Sequence, residues 1–584
     1  MTENEIRPAR ALWGYLTGTR WILAGLLALE LLAHAASLVE PLIARWVLDE
    51  MEDPDRVLTP VLVLIGIAVA GLVLAWISTF LLERTAQRVV LKVRRNMVNK
   101  LVHTRVDVVE QHPTGDFLSR TGSDTTLLED TATGPLVSAA SAPLALVAAL
   151  ALMATIDPTL LGLVVLSLVA TGFAQRRALY RVGDASEEAQ EHIGRMTGVL
   201  QRALTAFRTV KASGTERYEE RAASDEAERA YRAGVCGARA EATVEVVSMA
   251  AVDIMFLVVL ALGAAKVVSG DLSLGDLVAF LLYMMYLADP IEDITHAATS
   301  LAEGMAAVKR IEQLRSIPHE EPSHERQPAP AFTPNGGIRF ENVSFGYPNR
   351  PLLRDVSLEI GVGLTVLAGP SGAGKTTMLS LVERFVDVDR GRVTLDGVDL
   401  RELNRAELRR RLAYVQQEAP LLGDTVRAAA LYGVPDPEHA DLEGALRSVA
   451  LHTWVAGLPR GLDTPVGERG VAVSGGERQR LAIVRALLRG ADVLLLDEAT
   501  SQLDAVTERT VLHTISGHAR AHPVVVVTHR LSIARHADQV VLLVDGRVQA
   551  VGEHSELLRG NAMYRSFALL DKASIDENAF PARS

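Results

Sequence analysis

A glycine-rich loop in the C-terminal half of the chain has the composition of a phosphate-binding site. The segment VGLTVLA at 362–368 predicts a buried strand, and GPSGAGKTT at 369–377 follows with the spacing G-x-x-x-x-G-K-[ST] before an amphipathic helix. Glycines let successive N–H groups point at one phosphate, and the helix N-terminus adds partial positive charge. We expect Lys375 to reach the β- and γ-phosphates and Thr376 to bind Mg²⁺. The other predicted loop residues are Gly369, Ser371, Gly372, Ala373, Gly374 and Thr377.

Two later strands end in side chains suited to phosphate hydrolysis. VLLLDE at 493–498 predicts a buried parallel strand whose carboxyl end brings Asp497 and Glu498 beside the phosphate loop. We predict that Asp497 binds Mg²⁺ and that Glu498 is the general base for the attacking water. VVVVTH at 524–529 predicts another such strand; a lone histidine there usually serves the fold, but His529 falls where it can contact a γ-phosphate.

The composition of the whole chain restricts its class. Its 584 residues are 49% hydrophobic, which excludes a disordered protein and favours two or more folding units. The formal net charge of −12 argues against a nucleic-acid binder, because such proteins neutralise phosphates with Lys and Arg. The single cysteine, Cys236, excludes an intrachain disulfide.

Six long apolar stretches precede the phosphate loop. They lie at 21–48, 59–82, 135–156, 158–175, 244–268 and 274–298, and each is close to or above the ~20 residues that cross a bilayer as a helix. Buried helices of a large soluble protein are the alternative, which the uncharged segment 61–82 disfavours. We therefore predict a six-helix membrane domain joined to a soluble α/β domain.

Loop charges predict the orientation of these helices. The segments 84–120 and 176–239 are rich in Lys and Arg whereas 49–60 is acidic, so both termini and the soluble domain are expected in the cytoplasm. We expect no cleavable signal peptide. The charged segments 83–110 and 180–240 predict helices that continue into the cytoplasm, with breaks at 112–115 and 212–215 that give short transverse helices. Ordinary surface loops are the alternative there.

The motif DEATS at 497–501, preceded by VSGGE at 473–477, resembles the nucleotide-binding domain of an ATP-binding cassette (ABC) transporter. The resemblance spans the whole chain, which is similar to an exporter-type half-transporter. It implies a membrane domain at 1–315, a linker at 316–337, a P-loop ATPase cassette at 338–572 and a disordered tail at 573–584. It implies ATP and Mg²⁺ as ligands, and a homodimer or a heterodimer in the bilayer.

The same resemblance implies roles for further residues. Ser474, Gly475, Gly476 and Glu477 would form the signature motif, which faces the γ-phosphate held by the other subunit. Tyr347 would stack on adenine, Gln417 would contact Mg²⁺ and the attacking water, and Asp504 would cross the dimer interface. His529 would be the switch histidine. Gly467–Gly470 resembles an exporter-specific segment, and 112–116 and 212–216 would be the coupling helices.

Four positions depart from the pattern of the family. They are Val473 for Leu, Glu477 for Gln, Leu422 for Phe and Gln502 for Ala. None removes a phosphate contact or the base. Both composite sites of a homodimer are therefore expected to hydrolyse ATP, although the competent member of a heterodimer would look the same.

The resemblance implies ATP-driven export of hydrophobic or amphipathic substrates such as drugs, lipids or peptides. A siderophore-type importer built on the exporter fold is the alternative, while the intact Glu498 disfavours a non-transporting regulator. Ionisable residues within the apolar stretches are expected to face an interior cavity. These residues are Glu30, His34, Glu40, Asp253, Asp289, Glu292 and Asp293. They favour a cationic amphipathic substrate. Alternatively, they line a hydrated vestibule and pair with Arg45 or with basic loop residues. The Ala, Arg and Gly content suggests a bacterium and hence its plasma membrane.

Overall fold

The computed structural model describes residues 8–51, 54–131, 133–320, 337–347, 350–467 and 473–568. It contains two compact units, one of Met1–Val102 with Pro113–Ile317 and one of His103–His112 with Pro318–Ser584. Most of the predicted linker, at 321–336, and the whole predicted tail at 573–584 lie outside the described residues. The domain boundaries inferred from the sequence at 315/316 and 337/338 therefore stay predictions.

The first unit is built from helices. They are α1 (Pro8–Tyr15), α2 (Arg20–Asp49), α3 (Pro54–Val102), α5 (Thr114–Thr121), α6 (Ser123–Thr131), α7 (Gly134–Ile156), α8 (Pro158–Thr205), α9 (Phe207–Ser213), α10 (Glu216–Ser269), α11 (Leu274–Tyr286) and α12 (Ala288–Arg315), while α4 (Val106–Gln111) belongs to the second unit. Among the described residues, six helical stretches are long and apolar enough to cross a membrane. They coincide with the six predicted stretches.

Three helices are far longer than a bilayer requires. α3, α8 and α10 have 49, 48 and 54 residues, or roughly 70–80 Å at 1.5 Å per residue, against ~30 Å of hydrocarbon. The side chain of Asp157 starts α8 by accepting hydrogen bonds from the N–H groups of Thr159 and Leu160. The predicted helical extensions of the charged segments are thus present.

The helices break at the predicted places and also elsewhere, for example at Ala206, which separates α8 from α9 before the predicted break at 212–215. Pro113 precedes α5, and Gly214 ends α9 with φ 62°, a left-handed conformation that favours glycine. α3, however, already ends at Val102, earlier than the sequence suggested. The reason is that Thr104 leaves the helical path and forms an antiparallel bridge with His319.

The second unit contains two sheets. Their strands are β1 (Ile338–Tyr347), β2 (Arg350–Ile360), β3 (Gly363–Ala368), β4 (Arg390–Leu395), β5 (Val398–Asp399), β6 (Leu412–Val415), β7 (Val493–Asp497), β8 (Pro523–Val527), β9 (Gln539–Val544) and β10 (Arg547–Gly552). The four-stranded antiparallel sheet has the order β2-β1-β4-β5. The six-stranded sheet has the order β10-β9-β3-β8-β7-β6, and only β10 is antiparallel to its neighbour.

Helices cover the six-stranded sheet and connect its strands. They are α13 (Lys375–Val382), α14 (Arg405–Arg411), α15 (Val426–Leu431), α16 (Leu442–Ser448), α17 (His452–Ala456), α18 (Gly475–Leu488), α19 (Ala505–Ala519), α20 (Leu531–Ala534) and α21 (His554–Gly560), with a 3₁₀ turn at Gly461–Asp463. β3, β7 and β8 are buried at nearly every position, as their uninterrupted Val and Leu runs require. Because these three strands are parallel neighbours, their carboxyl ends meet at one edge.

Candidate functional site

The loop between β3 and α13 has a backbone that only glycine adopts easily. Gly369, Gly372 and Gly374 have φ of 150°, 78° and 103°. A Cβ on Gly369 would overlap the carbonyl of Leu543, and one on Gly374 would lie 2.7 Å from Leu353. The loop therefore approaches its neighbours too closely for a side chain at Gly369 or Gly374.

Lys375 lies inside this loop. Its side chain is 5% exposed, and Nζ donates to the carbonyl oxygens of Gly369 at 2.8 Å and Pro370 at 2.9 Å. Burial lowers the pKa of Lys375, while the carboxylates of Glu498 and Asp497 oppose that shift. Thr377 and Ala373 are buried, whereas Ser371, Gly372 and Thr376 are exposed on the open side of the loop. The ammonium group of Lys375 is thus held by the carbonyl groups at the start of the loop.

Oxygen atoms from two elements meet beside the loop. Asp497 ends β7 with a buried side chain, and the hydroxyl of Thr376 forms a hydrogen bond with its carboxylate. Burial raises the pKa of Asp497, and the bond with Thr376 opposes that rise. A hydroxyl and a carboxylate are hard oxygen donors of the kind that Mg²⁺ prefers. The donor set therefore fits this ion.

Glu498 accepts hydrogen bonds from two other predicted site residues. Gln417 Nε2 donates to Glu498 Oε2 at 2.8 Å, and His529 Nε2 lies 2.8 Å from Glu498 Oε1. Glu498 has φ 46°, an uncommon conformation for a residue with a side chain, and its N–H donates to the carbonyl of Val527. The structure thus brings the three predicted catalytic residues into one hydrogen-bonded group.

The predicted signature motif begins α18. Ser474 caps the helix: its N–H donates to Glu477 Oε2 at 2.8 Å, and the N–H of Glu477 donates to Ser474 Oγ at 3.4 Å. The carboxylate that replaces the usual amide is therefore turned back onto its own helix. A Cβ on Gly475 would overlap the end of the Gln502 side chain, so a larger residue there requires Gln502 to move.

Asp504 lies just beyond Gln502 and caps α19. Its Oδ1 accepts from the N–H groups of Val506 and Thr507, both at 3.0 Å. The hydrogen bonds from Thr507 lower the pKa of Asp504. Of the predicted exporter-specific segment, residues 468–470 lie outside the described residues.

Sequence reasoning missed a buried amide that connects these segments. Gln479 on α18 is 1% exposed. Its Nε2 lies 3.4 Å from the carbonyl of Gln417, 3.3 Å from that of Glu498 and 3.0 Å from Ser501 Oγ, and its Oε1 accepts from the N–H of Gln502 at 3.0 Å. The available signal was its position four residues before Ile483, on the apolar face of an amphipathic helix.

Arg530, next to His529, was also missed. Its guanidinium donates to the carbonyl of Ser501 at 2.8 Å and to Glu508 Oε1 at 3.0 Å. It therefore holds the segment that follows β7 against the one that follows β8. Nothing in the local sequence marked this residue.

A separate cavity adjoins Tyr347. It has a volume of about 640 Å³ and is lined by Phe345, Tyr347, Arg350, Arg354, Arg390 and their neighbours. The ring centres of Tyr347 and Phe345 lie 5.2 Å apart in an edge-to-face arrangement. The side chain of Tyr347 is partly exposed. Flat aromatic and guanidinium groups of this kind suit a nucleobase. The three arginines were not foreseen from the sequence.

The site at this sheet edge is that of a P-loop ATPase, since it combines a phosphate loop, a hydroxyl–carboxylate pair and a hydrogen-bonded glutamate. The apolar helices make the chain a multi-pass membrane protein. Comparison with protein families agrees with both halves: "ABC transporter transmembrane region" matches residues 22–291 and "ABC transporter" matches residues 353–501. The chain belongs to the ABC transporter family.

Curated relatives match both halves of the chain. An ATP-dependent lipid A-core flippase of Thiobacillus denitrificans is 32% identical over 570 residues, covering 95% of this chain and 97% of the relative. A protein of the same description from Chromobacterium violaceum is 32% identical over 581 residues, covering 96% and 97%. A solved bacterial Atm1-family ABC exporter with ATP bound has a TM-score of 0.80 at 26% identity, covering 97% of this chain and 99% of that one.

These relatives confirm the predicted class. The chain is an exporter-type half-transporter with one membrane domain and one ATPase cassette, and it carries out ATP-driven export. The importer that the sequence left as an alternative has no counterpart among these relatives.

Proposed function

We propose that two copies of this chain export a lipid-like amphipathic molecule across a bacterial plasma membrane, with the cassettes in the cytoplasm. The observation that carries this proposal is the 32% identity to lipid A-core flippases over 95% of the chain, because it extends through the membrane half that contacts substrate. The basic segments 84–120 and 176–239 support the orientation.

In the proposed ATPase site, the chain supplies binding, positioning and a base. Lys375 and the N–H groups of the loop bind the β- and γ-phosphates, and Tyr347 stacks on adenine. Thr376 and Asp497 would hold Mg²⁺, which would neutralise phosphate charge. Gln417 would also offer its amide oxygen to that ion, since the atom that bonds to Glu498 is its Nε2.

Glu498 is the proposed general base for the attacking water. Its two carboxylate oxygens are engaged by Gln417 and His529, so its orientation is fixed before the water arrives. A base positioned in this way contributes roughly 10²–10⁴-fold to the rate. Gln417 and His529 hold Glu498 and contact the water and the γ-phosphate.

The signature motif is proposed to complete the site of a second subunit. The N-terminus of α18 carries the partial positive charge of a helix start, and its capping box engages the N–H groups of Ser474 and Glu477 but not those of Gly475 and Gly476. A γ-phosphate on the partner cassette would satisfy those groups, and Asp504 would lie at the same interface. Because this chain holds both a base and a signature motif, two identical copies form two equivalent sites. We therefore favour a homodimer over a heterodimer.

Charge in the membrane unit favours a substrate with a positively charged group. Glu30 on α2 accepts a hydrogen bond from Ser78 at 2.5 Å, and His34 bonds to Tyr286 at 3.0 Å. Asp293 on α12 interacts electrostatically with Glu30 and His34. It also interacts with two other acids of its own helix, Asp289 and Glu292. We call Glu30, His34, Asp289, Glu292 and Asp293 the acidic cluster.

The alternative is a hydrated vestibule in which the acids pair with Arg45 or with basic loop residues, and its Arg45 part receives no support. Arg45 pairs instead with Asp276 at 2.7 Å and with Asp49 at 3.5 Å. Glu40 is half-buried on α2 and the Asp253 side chain is exposed on α10, and neither is among the groups that interact with Asp293. A lipid-like amphiphile with a cationic or zwitterionic head would balance the charge of the acidic cluster.

Transport into inside-out vesicles tests direction and substrate charge together. Wild-type protein should accumulate fluorescent cationic amphiphiles in an ATP-dependent manner, and ATP-dependent release would indicate import. Asp293→Asn should reduce uptake of cationic probes several-fold but not that of neutral ones, with exposed Asp253→Asn as the matched control. Equal loss for both probes, or for both variants, would contradict the charge argument.

A further inference from the structure

The chain segments that follow two membrane helices are joined at the edge of the cassette. His103–His112 follows α3, Pro318 onward follows α12, and both belong to the second unit. Thr104 forms an antiparallel bridge with His319, and the N–H of Glu320 donates to the carbonyl of His103 at 2.7 Å. Any displacement of one of these two segments is therefore passed to the other through main-chain bonds.

Glu320 connects this junction to the cassette. Both of its carboxylate oxygens accept from the guanidinium of Arg409 on α14, each at 2.7 Å. Both side chains are partly buried, and a two-pronged Arg–carboxylate pair fixes orientation as well as distance. Arg409 also donates to the carbonyls of Glu383 and Arg384, so its position is tied to the turn after α13.

Two aromatic rings extend this contact toward the ATPase site. The guanidinium of Arg409 lies 5.2 Å from the ring centre of Phe385, which packs edge-to-face against Tyr414 at 6.0 Å. Tyr414 lies on β6, the neighbour of β7. Its hydroxyl donates to Asp497 Oδ2 at 3.5 Å.

The surroundings of Tyr414 are acidic. Besides Asp497, the carboxylates of Glu383 and of Glu110 on α4 interact with its hydroxyl electrostatically. The hydroxyl thus feels three carboxyl groups, and its hydrogen-bond partner among them is Asp497. A separation of 3.5 Å is longer than the roughly 2.5–3.0 Å of an ordinary O–H···O hydrogen bond, so a shift of the ring by a few tenths of an ångström decides whether a good bond forms.

We propose that Tyr414 is a positioning residue for the carboxylate of Asp497, and that Glu320 and Arg409 set its distance from that carboxylate. This inference rests on the proposed function, in which Asp497 holds Mg²⁺. It provides a route by which the chain leaving α3 and α12 adjusts the metal site of its own cassette. The route passes through Arg409, Phe385 and Tyr414 and does not involve Gln417.

The first experiment removes only the hydroxyl. Full-length Tyr414→Phe in nanodiscs is titrated with Mg²⁺ while binding of a fluorescent ATP analogue is recorded, and Mn²⁺ binding is followed by electron paramagnetic resonance. The Mg²⁺ concentration that gives half of the effect should rise about three- to tenfold, which is the net value of one ordinary hydrogen bond; the 3.5 Å separation is too long for the larger value of a short bond to a charged group. Affinity for the analogue without Mg²⁺ should stay unchanged, which also reports an intact fold.

The matched control is Tyr432→Phe, because Tyr432 is an exposed tyrosine of the same cassette. It should leave the Mg²⁺ titration unchanged. An unaltered titration for Tyr414→Phe, or an equal shift for Tyr432→Phe, would overturn the assignment. If the wild-type protein itself shows no Mg²⁺-dependent binding, the proposed ATPase site fails instead, so the two failures are distinguishable.

A double-mutant cycle tests the route from Glu320. Glu320→Gln should shift the Mg²⁺ titration in the wild-type background by at least twofold, and should add nothing in the Tyr414→Phe background. Glu443→Gln, which weakens an exposed pair with Arg447 on the same cassette, should have no effect in either background. Additive shifts for Glu320→Gln and Tyr414→Phe would show that they act independently and would refute the route.

Discussion

Gln479→Leu should separate turnover from nucleotide binding. Gln479 is buried on α18 and bonds to the segments that carry Gln417, Glu498 and Gln502. Leucine has a similar volume, so the substitution removes the bonds without a large cavity. Lys375 and its loop make no bond to Gln479 among the contacts of the described residues.

The expected size of the effect follows from the lengths of these bonds. Those to Ser501 and Gln502 are 3.0 Å long, while those to the carbonyls of Gln417 and Glu498 are 3.3–3.4 Å and weaker. Loss of two good bonds and two weak ones amounts to about 2 kcal/mol. If that energy maintains the geometry of Glu498, kcat falls roughly 30-fold.

Steady-state ATPase and binding of a fluorescent ATP analogue provide the two measurements. Gln479→Leu should lower kcat about 30-fold while the affinity for ATP changes less than about threefold. Gln549→Leu, at an exposed position of β10, is the matched control and should leave both unchanged. A variant with normal kcat would refute the positioning argument, and one with a large loss of affinity would show that Gln479 supports the phosphate loop.

Two further substitutions test the roles of single groups. Glu498→Gln should lower the ATPase rate by roughly 10²–10⁴-fold and trap an ATP-bound closed dimer, visible as a shortened cassette–cassette distance in spin-label measurements. Normal steady-state turnover would exclude Glu498 as the base. Lys375→Ala should weaken ATP binding more than about tenfold, because it removes the ammonium that lies in the phosphate loop. Unchanged ATP affinity in equilibrium binding would refute that assignment.

Much of the fold was predictable because it depends on local pattern. The length of the apolar stretches specified six spans, and the Val and Leu runs at 493–496 and 524–527 specified buried parallel strands. Parallel neighbours bring their carboxyl ends together, so Glu498 and His529 were correctly expected at one edge. Pro113 and Gly214 marked helix breaks because neither residue continues a helix easily.

The rest of the site depends on contacts between segments distant in sequence. Gln479 bonds to Gln417, 62 positions away, and Arg409 pairs with Glu320, 89 positions away. Such distances follow from the placement of loops, which periodicity does not report. The early end of α3 has the same origin, since the bridge of Thr104 to His319 competes with the helix. The packing of Gln502 on Gly475 likewise appears only in three dimensions.

Both ATP hydrolysis and its coupling to transport depend on nucleotide being bound between two cassettes. Nanodiscs that contain one copy or two copies of the chain can be separated and assayed for ATP hydrolysis per chain. We predict turnover in the two-copy particles and at most a small residual rate in the one-copy particles. The signature helix of a chain faces the ATP of its partner, so a single chain cannot complete its own site. Equal rates per chain in both particles would contradict the central claim.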